Sequence, residues 1–163
     1  MSWWPIRSRS PAHRPERPLV AAVLTAGCLT VAGFQVALTL GAPLGAAALG
    51  GANDGQLPDG LRVVTALASV VWLFAAIVVS ARGGLAPYPV SGSVSRVGTW
   101  VLVWLLGAGT LMNFASSSAW ERLGWGPFTL GMFVLALVLA RSGVASEPDR
   151  PVGGAGAQSV EPA

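Results

Sequence analysis

Charge is what this sequence has least of. Of its 163 residues, 10% are charged and 53% are hydrophobic. Soluble domains carry charge on roughly 25% of their residues. A chain this poor in charge points to lipid as its solvent. Lysine is missing altogether, and all ten positive residues are arginine. There is one cysteine, Cys28, and one histidine, His13. A single cysteine forms no intramolecular disulfide and offers no dithiol for redox chemistry. A lone histidine in a Pro/Arg-rich stretch supplies no metal set, so neither a metal nor another cofactor is expected. The pI near 10.5 suggests nucleic acid at first sight. No basic patch is interleaved with stacking aromatics, however, so nucleic acid is not expected as a partner.

Long apolar runs are what is present. A bilayer core about 30 Å thick needs roughly 20 apolar residues in a helix. Four runs meet that length, at about 19–40, 61–81, 97–115 and 123–140. Unpaired backbone groups are not tolerated in lipid, so the runs are expected to be helices. The expected fold class is all-α, an integral membrane four-transmembrane-helix bundle over 19–141. Basic residues 1–18 and Pro/Gly-rich residues 142–163 read as disordered tails. Arg7, Arg9, Arg14, Arg17, Arg82, Arg96, Arg141 and Arg150 fall on one side of this topology, and only Arg62 and Arg122 on the other. The bias predicts both termini in the cytoplasm and a bacterial plasma-membrane location. Trp100 is expected near the inner boundary and Trp120 and Trp125 near the outer one. Trp72 lies mid-span, where its indole N–H needs a partner.

No Asp, Glu, Lys, Arg or His lies well inside any span. Proton-coupled transporters and relays need titratable groups at depth, and this chain has none to offer. The spans carry small and neutral polar residues instead. Gly33, Ala37 and Gly41 recur every four residues, a ridge that lets helices approach closely. Thr65, Ser69, Ala76 and Ser80 mark one face of the second span, and Gly109, Asn113 and Ser117 one face of the third. Helix packing accounts for these patterns. The amides of Gln35 and Asn113, each within about two turns of an outer helix end, have a second reading: they line a small polar pocket open to the outside.

"LTAGC", residues 24–28, resembles a lipoprotein cleavage site. The apolar run continues past Cys28 where a mature lipoprotein turns polar, so Cys28 reads as a packing residue.

The loops hold the remaining chemistry. In "GAPLGAAALGG", residues 41–51, Pro43 bars the helix from continuing and Gly41 suits the left-handed position that ends it. Eleven small or apolar residues are too few to span and too apolar for water. They are expected to pack over the outer helix ends, with a short turn at Leu44–Leu49 and a bend at "NDG". Asp59 reads as the cap of the second span. In "NFASSSAWERLGWGP", residues 113–127, Ser118 and Glu121 have capping-box spacing. They predict a short turn that carries Trp120 and is broken by Gly124, Gly126 and Pro127. Asp59, Arg62, Glu121 and Arg122 lie at one level, and Arg62 is expected to pair with Glu121 above the two amides.

"FQ…LTLGAPLG…GG…LP..LR" (34–62) and "NFASSSAWER..WGP" (113–127) resemble segments of a group of small four-helix membrane proteins of actinobacteria. The resemblance covers about 19–141. It implies the topology and outer-loop organisation but no activity, since that group has none assigned. Two readings of function follow from the residues. One is a non-enzymatic structural or accessory component that associates with another membrane protein or with itself through small-residue faces. The other is a protein that binds or transports a small apolar or neutral molecule at an outer-end site formed by Gln35, Asp59, Arg62, Asn113, Glu121 and Arg122. No nucleophile–base pair is visible, and an enzyme is not expected.

Overall fold

The computed structural model describes residues 17–85 and 90–142. The tails at 1–16 and 143–163, with Trp3, Trp4 and His13, lie outside the described residues. Helix α1 is Pro18–Thr39, α2 Asp59–Arg82, α3 Gly92–Ala115 and α4 Gly126–Arg141. A wide helical turn, Glu121–Trp125, leads directly into α4. Counted from that turn, all four helices are long and apolar enough to cross a membrane. No strand occurs among the described residues.

Helix ends follow caps more than hydropathy. Pro18 occupies the first turn of α1, where its missing N–H costs nothing. Ser91 accepts from the Val94 N–H and starts α3 five residues before its apolar run. Asp59 does not cap α2. Pro58 stands at that position, and Asp59 lies in the first turn, where its charge suits the helix dipole. Counted from Glu121, the fourth helical segment also begins earlier than its apolar run. Pro127 has no N–H to return to the carbonyl four residues back. The chain widens instead, and the Gly126 N–H reaches back five residues to the Glu121 carbonyl. Gly124, Gly126 and Pro127 therefore widen the helix and do not break it.

The helices form two hairpins, with α1 packed chiefly on α2 and α3 chiefly on α4. The start of α1, the end of α2, the start of α3 and the end of α4 share one end, here called the tail end. The long loop covers the other, the lid end. The main core lies toward the tail end, with Leu24, Cys28, Val79, Leu102, Leu106, Ala136 and Leu139 buried together. Gly27 admits the Met132 side chain, and Gly83 lies against Ala21. Thr25 and Ser80 share a hydrogen bond between α1 and α2 at 3.1 Å. Arg82 is buried at the same end. Its Nη2 donates to the carbonyls of Ala140 at 3.2 Å and Ser142 at 2.7 Å, clamping α2 to the end of α4.

The outward faces are apolar. Val63, Leu67, Val70, Trp104, Leu111 and Met112 are all exposed, as expected where lipid is the solvent. The ridge expected at Gly33, Ala37 and Gly41 does not seat a helix of this chain. Gly33 is exposed, and a Cβ there would meet nothing within 4 Å. Gly41 lies beyond the end of α1, beside Arg62 and Gln56. A spacing of four marks a common face but not the partner opposite it.

Candidate functional site

The lid begins where α1 ends. Gly41 has φ +89°, the left-handed region that glycine adopts without a Cβ clash. The Ala42 N–H bonds the Ala37 carbonyl and the Gly41 N–H the Leu38 carbonyl, which closes the helix with a Schellman pair. The chain then crosses the bundle top in two single turns, Gly45–Ala47 and Leu49–Gly51. The Gly45 N–H donates to the Gly55 carbonyl and folds the lid on itself. A side chain at position 45 would strike the backbone carbonyls of Asn53 and Gly55, so only glycine fits. Leu38, Ala48 and Leu57 form a small second core beneath, with Phe34 and Leu61 packed against it.

Four hydrogen bonds tie the lid to the segment after α3. Ser118 Oγ donates to the Ala46 carbonyl (2.7 Å), Trp125 Nε1 to Ala47 (3.0 Å) and Ser117 Oγ to Gly50 (3.2 Å), while the Gly50 N–H donates to Glu121 Oε1 (2.8 Å). Half of the expected capping box forms, since the Glu121 N–H reaches Ser118 Oγ at 3.4 Å. The Glu121 carboxyl does not return the bond but serves the lid. Leu49 opens the second lid turn at φ +53°, a conformation that costs an L-residue roughly 1–2 kcal/mol.

Between the lid and the main core lies a cavity of about 210 Å³. Phe34 and Gln35 of α1, Gly109 and Asn113 of α3, and Glu121, Trp125 and Thr129 of the fourth helical segment line it, with Ala47–Leu49 above. It reaches Trp72 of α2, thirteen residues or roughly 20 Å from the lid end at 1.5 Å per residue. Asn113 Nδ2 donates to Thr129 Oγ1 (3.3 Å), which itself donates to the Trp125 carbonyl (2.7 Å). Neither the Gln35 side-chain amide nor the Trp72 indole N–H is bonded to another described residue, and both residues line the cavity.

Gln35, Asn113 and Glu121 are thus brought together. Asp59, Arg62 and Arg122 are not. Arg62 Nε donates to the Thr39 carbonyl at 2.8 Å, and its Nη1 lies 3.4 Å from Asp59 Oδ1. Arg62 therefore caps the end of α1, where a cation suits the helix dipole. The expected Arg62–Glu121 pair does not form, because the lid carries Gly50 to Glu121 first. The Asp59 side chain is 99% exposed, and such ion pairs contribute about 0–1 kcal/mol. Arg122 is exposed and reaches the Ser116 carbonyl at 3.4 Å. Gly109 is a cavity wall, not a packing contact: a Cβ there would meet nothing within 4 Å.

Trp125, Phe34, Thr129 and Trp72 enter the site without having been expected there. Trp125, at the lid end of the fourth helical segment, packs among aromatic rings. Its ring lies 4.8 Å from that of Phe34 and 5.5 Å, edge to face, from that of Phe128. Spacing could have found it, since Glu121, Trp125 and Thr129 recur every four residues, as Phe34 and Gln35 follow Val31 on α1.

Among the described residues no three His, Cys, Asp or Glu side chains are grouped to hold a metal ion. No family model matches this chain, and neither a curated protein nor a solved structure is similar to it.

Proposed function

We propose that this chain is a non-enzymatic multi-pass protein of the bacterial plasma membrane that binds a small, largely apolar, uncharged molecule in the cavity at its lid end, with the lid on the outer side and both termini in the cytoplasm. The observation that carries this reading is the cavity itself, whose largely apolar lining includes the polar residues Gln35, Asn113, Glu121 and Thr129. Binding sites have this composition, apolar surface with a few polar groups that fix orientation. At about 210 Å³ the space suits a molecule somewhat larger than benzene, which fills a cavity near 150 Å³.

A short-chain alcohol bearing a photoactivatable diazirine tests the reading on the full chain in lipid nanodiscs. Labelling is expected at Leu105, Gly109, Asn113 and Thr129, and Gly109→Leu, which fills the cavity, is expected to abolish it. Labelling spread evenly over outward residues such as Val63 and Leu67, and unchanged in Gly109→Leu, would refute it.

One observation favours a second role, as an accessory component. Gly33 leaves a smooth, exposed strip on α1 that admits the helix of another membrane protein or a second copy. Gly33→Leu would then abolish co-purification of that partner or lower the oligomeric state, without changing cavity labelling.

A further inference from the structure

An apolar groove of about 410 Å³ runs along the outside of the bundle between α1 and the fourth helical segment. Thr30, Leu44, Trp120, Gly124 and Phe128 line it. Its inner wall is Phe34, Ala47 and Trp125, and these three residues also line the interior cavity. One layer of side chains separates a groove facing the membrane from a chamber holding polar groups. We infer that the two spaces form one site for a single-chain amphiphile, with a hydrogen-bonding, non-anionic head in the chamber and its alkyl chain passing the Phe34–Trp125 edge into the groove. The inference rests on the binding function proposed above and names its ligand class.

Three observations support it. First, the polarity is divided between the two spaces. The chamber is lined by Gln35, Asn113, Glu121 and Trp72, whereas the groove is lined by apolar and aromatic residues, with its Thr30 hydroxyl bonded to the Ala26 carbonyl at 3.0 Å and its Trp125 indole N–H to the Ala47 carbonyl. A helix of another protein laid in the groove would cover apolar surface but leave the chamber's unbonded amide and indole unmet. A head joined to a chain satisfies both.

Second, the wall between the spaces is built on one side chain, Trp125, packed against the rings of Phe34 and Phe128. Trp125 is tied to the lid through one bond, from its indole N–H to the Ala47 carbonyl, and stands in the wide turn ahead of Pro127. Wide turns of this kind interrupt the regular ladder and occur often at functional sites. A rotation of the Trp125 ring would join groove and chamber without moving a helix.

Third, Glu121 selects the head. It is the one titratable side chain of the chamber wall, and its Oε1 accepts from the Gly50 N–H. An anionic head would lie against a carboxyl group already acting as acceptor, and no cationic side chain lines the chamber to pair with it. A hydroxyl head donates to the Gln35 or Asn113 carbonyl oxygen and accepts from the Trp72 indole.

The test uses the full chain in nanodiscs and two dodecyl probes with a mid-chain diazirine, one ending in a hydroxyl and one in a carboxylate. The hydroxyl probe is expected to label Thr30, Trp120 and Phe128 at least fivefold above outward positions on α2 such as Val63 and Phe74. Gly124→Trp fills the groove, where a Cβ meets nothing within 4 Å, and is expected to remove that enrichment. Gly109→Leu closes the chamber to the head and is expected to remove it as well. Gly131→Leu, exposed and bordering neither space, controls for folding and is expected to keep it. Labelling of the chamber by the short alcohol with no groove enrichment by the long one would overturn the inference and leave the binding function standing. Enrichment that survives Gly109→Leu would show the chain resting in the groove without its head, and would also overturn it. Equal enrichment with the carboxylate probe would overturn the assignment of the head.

Discussion

The two ends of the bundle solve different problems. At the tail end, side chains fill the space between four helices: Leu24, Cys28, Val79, Ala136 and Leu139 are almost wholly removed from solvent, and glycine appears where a large neighbour needs room. At the lid end the same helices border a space of about 210 Å³, and polar bonds from a glycine-rich loop join a small second core of Leu38, Ala48 and Leu57. The tail end is thus closed by packed side chains, whereas the lid end leaves a space bordered by loop and helix residues.

The comparison breaks most readily in the cores. Leu139→Ala and Leu24→Ala remove fully buried side chains and are expected to cost about 2–5 kcal/mol each. Leu105→Ala, in the cavity wall and 42% exposed, is expected to cost less than half as much. Unfolding of reconstituted variants in a denaturing detergent measures both. Equal losses at the two ends would erase the distinction.

Glycine substitutions sharpen it next. Gly27→Leu drives a side chain into Met132 and is expected to cost about 1–3 kcal/mol or more. Gly109→Leu enters the cavity and Gly33→Leu points outward, so both are expected to leave melting temperature unchanged or, for Gly109→Leu, raised. A collapse in stability of Gly109→Leu would mean that the space at position 109 is filled by protein.

The sidedness of the lid is a separate question with a clean readout. With Cys28 buried, Asp54→Cys is expected to react with an impermeant thiol reagent in intact cells. Ser93→Cys, at the tail end, is expected to react only after permeabilisation. The opposite pattern would turn the site toward the cytoplasm.

Four helices and a folded-over loop were legible in the sequence because each rests on a local cause. Hydropathy measures span length, and Gly41 two residues before Pro43 marks a helix end that its φ of +89° realises. The cavity was half legible. The amides of Gln35 and Asn113 were found by depth along their helices, and depth is what a rise of 1.5 Å per residue supplies. Azimuth is not supplied. The angle at which each helix faces its neighbours decided that Gly33 looks outward, that Gly109 borders a cavity and that Trp125 turns inward. Nothing local to those residues sets that angle. Gly126–Pro127 failed for another reason: the pair reads as a break, yet a helix can pass a proline by widening when a neighbouring N–H reaches one residue further.

The smallest expected effect concerns the charges at the lid end. Arg62 and Glu121 share a level but no partner: Arg62 bonds the Thr39 carbonyl and Asp59, and Glu121 bonds the Gly50 N–H. Sites without shared partners add to within about 0.3–0.5 kcal/mol, so the double-mutant cycle of Arg62→Gln and Glu121→Ala is expected to show no coupling above that. The single changes still differ. Glu121→Ala leaves the Gly50 N–H without its acceptor and loosens the lid, at about 1–3 kcal/mol if no water replaces it. Glu121→Gln keeps an oxygen for that N–H and is expected to cost less than Glu121→Ala. The ranking separates a carboxyl that holds a loop from one that holds a charge. Were Glu121→Gln as damaging as Glu121→Ala, with strong coupling to Arg62, the negative charge would be what matters, and the lid would be fastened by an ion pair instead of by its backbone.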